Sequence, residues 1–166
     1  MRPITHWSPR TKQIVVFAVL ACGFLLPLRG LLRSQGPPME EGFMLVFPEE
    51  VLRGNLPNRD FLHLYGPGSL WWLAAIFEVF GTRLEVERLA ALAQMIAIVG
   101  GVTAIARRWG HTFALVCGGL SLVIIIPPIG LTALAWVGAV GLGVLGVATA
   151  SGAARSGTTS VAAKSA

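Results

Sequence analysis

Apolar residues fall in blocks along this chain, and the polar residues are gathered between the blocks rather than alternating with them. The blocks run from Ile14 to Leu28, Gly68 to Phe80, Leu89 to Ala106, Phe113 to Ile126 and Thr132 to Ala150. None carries the period-two alternation of a half-buried strand, and most approach the ~20 residues that a helix needs to cross a ~30 Å hydrocarbon layer. The pattern predicts an all-α, polytopic transmembrane protein with about four spans, at 13–32, 88–106, 112–131 and 132–150, and a short turn at 107–111. Val19-Leu20-Ala21-Cys22 loosely fits a lipoprotein cleavage site, but the chain stays apolar through Leu28, so an uncleaved span is expected.

The second block is different. Gly68 to Phe80 is thirteen residues, and a helix of that length rises only about 20 Å. Trp71 and Trp72 near its start and Glu78 toward its end suit a helix lying in the interface, over 67–80, within a first outer loop spanning 33–87. Pro67 and Gly81 supply the start and stop signals. A short tilted span is the other reading of the same residues.

Composition agrees with a membrane protein. Hydrophobic residues make up 54% of the chain and charged residues 13%, against about 45–50% and about 25% in soluble domains. The net charge of +5 brings no nucleic-acid partner with it, because the basic residues are scattered and form no stripe interleaved with aromatics. Cys22 and Cys117 sit in separate apolar blocks and read as small hydrophobes.

Charge decides between the two topologies. Cations near span ends favour the cytoplasm. With 67–80 at the surface, Arg2, Arg10 and Lys12 of the 1–12 tail, the Arg107-Arg108 turn, and Arg155 and Lys164 of a disordered 151–166 tail all fall inside. The expected location is the plasma membrane, multi-pass, with a cytoplasmic amino terminus. All eight carboxylates, Glu40, Glu41, Glu49, Glu50, Asp60, Glu78, Glu85 and Glu87, then lie in the outer segment. A merely solvated acidic loop explains them as well as a site does. Gln94 is polar in the middle of a span and is expected to face protein rather than lipid. Ala135, Ala139 and Gly143 form a small-xxx-small row of the kind through which membrane helices approach closely.

The order of these features resembles the amino-terminal part of the GT-C membrane glycosyltransferases, such as protein O-mannosyltransferases and aminoarabinose transferases. The resemblance covers about residues 14 to 135. It rests on a first span ending Leu26-Pro27-Leu28-Arg29 and the acidic pair Glu40-Glu41. The stretch Glu49-Glu50-Val51-Leu52-Arg53 leading to Pro57-Asn58-Arg59-Asp60-Phe61-Leu62-His63-Leu64-Tyr65-Gly66 follows, then the aromatic helix, an Arg opening the next span and a basic turn. The resemblance implies a polyprenyl-phosphate sugar as partner in the lipid bilayer. Glu40 and Glu41 then bind a divalent ion, Mg or Mn, or activate the acceptor. His63 shuttles a proton, and Arg53, Arg59, Asp60 and Tyr65 bind substrate. In that family an Asp stands where Glu40 stands here, and the outer loop after the third span carries an acid that Pro127 to Thr132 lacks. Such enzymes have more spans, so the chain is expected to be a front portion. The alternative expectation is a non-catalytic membrane module, a homo-oligomer or small assembly partner, built on the Ala135/Ala139/Gly143 face.

Overall fold

The computed structural model describes residues 8–33 and 37–164. Among them the chain forms six α-helices: α1 Pro9–Leu31, α2 Pro38–Leu52, α3 Gly68–Phe80, α4 Leu84–Ala106, α5 His111–Ile129 and α6 Ala135–Lys164. A single 3-10 turn, Arg107–Trp109, joins α4 to α5. Arg2 lies outside the described residues.

Local chemistry sets the helix ends. Ser8 Oγ accepts the Thr11 N–H at 3.2 Å and Pro9 follows it at the first helical position, so α1 begins there. Pro38 stands at the first helical position of α2, which has no side-chain cap. Gly81, with φ 84°, closes α3 where an L side chain would be strained. Glu85 and Glu87 occupy the first turn of α4, where carboxylates complement the helix dipole.

Close approaches at glycine fix the helix directions. Gln94 of α4 meets Gly138 and Gly141 of α6, and Gly101 meets Val144 and Leu145, so the two helices run parallel. Gly118 of α5 faces Thr103 of α4 and Leu20 of α1, while Leu122 faces Gly23, so α1 and α5 are parallel to each other. The α4–α5 connection through the basic turn makes that pair antiparallel. The starts of α1 and the Arg107–Trp109 turn therefore lie at one end of the bundle. The end of α1 and the starts of α4 and α6 lie at the other. The α2–α3 pair is mounted at this second end, with Leu70, Leu73, Ala74 and Phe77 of α3 buried as one stripe.

Among the described residues two helices are long and apolar enough to cross a membrane, Leu84–Trp109 and Ala135–Gly152. Gly68–Phe80 and His111–Ile125 are apolar but shorter. Among its described residues the protein is thus all-helical, with two candidate membrane-spanning helices.

Several boundaries differ from the sequence reading. The outer segment holds a second helix, α2, which Gly42 and Pro48 disguise. Pro48 is buried in the helix interior, where a proline removes one backbone donor and is disfavoured by propensity. α5 runs through Pro127 and Pro128 to Ile129, and the chain turns instead at Gly130, with φ 62°. α6 extends to Lys164, past the expected limit at 150 and into the segment expected to be disordered. No proline follows Pro128 to interrupt it.

Candidate functional site

Buried charge concentrates where the α1, α2, α4 and α6 ends meet. The Arg88 guanidinium, in the first turns of α4, donates from Nε to Glu41 Oε1 at 2.7 Å, and the side chains are only 6% and 8% exposed. Arg88 also donates from Nη1 to the Leu32 carbonyl at the end of α1, one of the orphan acceptors of a helix terminus. Beside it Glu87 is fully buried. Glu87 Oε1 accepts the Ala133 N–H at 2.6 Å, just ahead of α6, and Glu87 Oε2 has no hydrogen-bond partner. Two buried carboxylates thus lie at this end of the bundle, Glu41 on the Arg88 guanidinium and Glu87 on the Ala133 N–H. Glu40, half-buried in the first turn of α2, makes no ion pair among the described residues.

A second cluster covers one flank of α2. Phe43 stacks on Phe47 with centroids 5.0 Å apart, and Phe47 stacks on Phe61 at 5.1 Å. His63 meets Phe47 edge-on at 5.6 Å, and Tyr65 meets His63 edge-on at 5.8 Å. His63 is buried, its Nε2 has no hydrogen-bond partner, and burial holds its pKa below the ordinary histidine value.

The turn before it is self-contained. Asn58 takes the left-handed conformation at φ 63°, its N–H donates to the Phe61 carbonyl at 2.8 Å, and its Oδ1 accepts the His63 N–H at 3.1 Å. Asn tolerates this region better than most residues. Asp60 Oδ2 accepts the Leu56 N–H at 2.8 Å and pairs with Arg59 at 2.8 Å. The Arg59 hydrogen bond and then the Leu56 N–H hold the Asp60 carboxyl below its usual pKa, while Asp60 raises that of Arg59.

These placements sort the residues singled out in the sequence. His63 and Tyr65 are neighbours, and so are Arg59 and Asp60. Arg53 pairs with Glu49 at 2.9 Å and Glu50 at 2.6 Å at the far end of α2, twelve residues and therefore roughly 18 Å along the helix from Glu41. Arg53 and the Glu40-Glu41 pair do not share a site. Among the described residues no three His, Cys, Asp or Glu side chains are grouped to hold a metal, and Glu41 Oε1 pairs with Arg88. Sequence reasoning named Glu87 only as one of eight outer carboxylates and Arg88 only as the arginine opening the next span, and gave neither a site role. The available signal was their position, an opposite-charge pair immediately ahead of a long apolar run.

Between the start of α3 and the facing sides of α4 and α6 lies a cleft of about 400 Å³. Its floor is small residues, Ala93, Ala97, Ala135, Gly138 and Ala139, and its one amide is that of Gln94. Gln94 is 8% exposed and its Nε2 lies against Gly138. No protein-family model, no curated protein and no solved structure matches this chain.

Proposed function

We propose that this chain forms the outer-face acidic site of a GT-C-type glycosyl transfer system, acting on a polyprenyl-phosphate sugar. The observation that carries the reading is the Glu41–Arg88 contact. The acidic pair and the arginine that opens the following span are two separate features of the resemblance, and they meet at one end of the bundle. In this reading α1 and α5 also cross, giving four spans in a plasma membrane with the amino terminus inside. The helix directions support it: Arg10, Lys12, Arg107 and Arg108 gather at one end, while the segment holding every carboxylate lies toward the other.

Transfer from a lipid phosphate requires the acceptor hydroxyl to lose a proton as the leaving phosphate gains charge. Glu41, held by Arg88, serves as a positioning residue. Glu40 is the carboxylate left to accept the proton. Arg59, on the exposed turn, is the cation nearest in sequence to His63 and Tyr65 and serves the phosphate by exchanging Asp60 for it. No step here runs through a metal ion.

Donor binding and transfer by the full chain in lipid nanodiscs test this. Glu40→Gln lowers transfer to a hydroxyl acceptor by about 100-fold or more, while binding of the anionic donor stays equal or tightens. Unchanged transfer removes Glu40 from the mechanism, and absence of saturable donor binding overturns the whole reading. One observation favours the alternative, a non-catalytic membrane module. The more buried of the two acidic residues, Glu41, accepts Arg88 Nε at Oε1 in an internal ion pair, as a structural tie requires.

A further inference from the structure

We infer that Leu62 and Leu64, in the connection from α2 to α3, insert among the acyl chains at the edge of the bilayer and anchor that connection in lipid. The inference needs α6 to span the membrane and stands apart from the glycosyl-transfer reading.

The stretch from Phe61 to Tyr65 alternates. Phe61 stacks on Phe47, His63 meets the same ring edge-on and Tyr65 meets His63, so the odd-numbered side chains turn toward α2. The even-numbered ones point away. Leu62 is 77% exposed and Leu64 83%, more than Leu142 on the candidate span α6, at 74%. The polar side chains of this connection, Asn58, Arg59 and Asp60, stand just upstream and are exposed as well. From Phe61 through Trp72 the chain holds no carboxylate, lysine or arginine.

Depth selects lipid as the partner. Ala135–Gly152 is 18 residues, about 27 Å of helix, which matches a ~30 Å hydrocarbon layer and puts Ala135 at its boundary. Gly68, Ser69 and Trp72 of α3 line one cleft with Ala135, Ala139 and Leu142, so the first turn of α3 lies beside the outermost ~10 Å of that layer. Leu64 precedes Gly68 by four residues, at most about 14 Å of chain. The connection therefore enters α3 along the bilayer edge, where exposed leucines meet acyl chains and the exposed Arg59–Asp60 pair meets headgroups and water. The other end of α3 is higher. Gln94 lies against Gly138, so Leu84 stands about 10 Å beyond the level of Ala135.

The test uses the full chain with Cys22→Ser and Cys117→Ser in phosphatidylcholine vesicles. Single cysteines are placed as Leu62→Cys, Leu64→Cys, Leu142→Cys on the span, and Thr82→Cys in the exposed turn between α3 and α4. A nitrobenzoxadiazole label on Leu62→Cys or Leu64→Cys is quenched by phosphatidylcholine carrying a nitroxide on its acyl chain, as on Leu142→Cys, and is protected from aqueous iodide. On Thr82→Cys the order is reversed. A charged methanethiosulfonate reacts with unlabelled Leu62→Cys and Leu64→Cys at least about tenfold more slowly than with Thr82→Cys, because a thiolate forms poorly in apolar surroundings. Iodide quenching and reagent rates equal to those of Thr82→Cys overturn the inference. So does slow reaction without nitroxide quenching, the result expected if a second copy or another protein covers the leucines.

Discussion

The pairs Arg88–Glu41 and Arg59–Asp60 have nearly the same hydrogen-bond length, 2.7 and 2.8 Å, and opposite surroundings. The first is 6% and 8% exposed and the second 67% and 30%. Water shields the exposed pair and would solvate either partner left alone. The buried pair has no such reserve, and its attraction is offset by the removal of both charges from water. Distance alone therefore says little about what an ion pair does. The buried one fixes how the end of α1 and the starts of α2 and α4 sit relative to one another, and the exposed one trims a turn already held by backbone bonds.

The largest effect expected from breaking this contrast is at Arg88. Arg88→Leu leaves Glu41 without its cation and the Leu32 carbonyl without its donor. Unfolding in detergent should show a loss of about 3–5 kcal/mol. The double replacement Glu41→Leu/Arg88→Leu should lose less than the single one, because it removes a charge along with its partner. A double mutant worse than the single would mean that the pair is net stabilising rather than mutually dependent.

An intermediate effect comes from acidification of the platform on α2. Burial lowers the folded pKa of His63 below its ordinary value of 6.5, so the fold favours the neutral ring. Its contribution is complete above pH 6.5 and is lost as the pH falls from there through the folded pKa. Protease cutting within residues 53–67 should rise over that range, and His63→Phe should flatten the dependence. A profile unchanged by the substitution would assign the acid sensitivity elsewhere.

The smallest change is expected from Asp60→Asn. The Asn Oδ1 still accepts the Leu56 N–H, and only a screened attraction to Arg59 is lost. Thermal unfolding should be indistinguishable from that of the parent chain. A clear drop would show that this exposed pair carries more than its exposure implies.

Much of the scaffold was legible in the sequence because apolar block length is a strong signal. Leu89 to Ala106 could hardly be anything but a long helix, and Pro67 and Gly81 bracket α3 as read. α2 was hidden because Gly42 and Pro48 lower helix propensity, while tertiary packing of Glu41, Met44 and Pro48 overrides it. The candidate site was half legible. Glu40 and Glu41 stood out as an adjacent acidic pair, and His63 by its place in the polar stretch Pro57 to Gly66 ahead of the surface helix. Their partners did not, because Glu41 and Arg88 are 47 residues apart and no local pattern encodes a contact across that span. The placement of Gln94 against protein follows from its depth in an apolar helix, and the structure agrees, with Gly138 as the neighbour.

The bond from Glu87 to the Ala133 amide closes over 46 residues, and it has a consequence for biogenesis. On the ribosome, Glu41 emerges before Arg88, and their pairing becomes available as soon as α4 is made. Glu87 must wait for the chain to turn at Gly130 before any backbone donor reaches it. A nascent chain halted between α4 and α5 therefore holds an acid its own sequence has not yet supplied for, which makes the segment leading into α6 a latch rather than a mere connection.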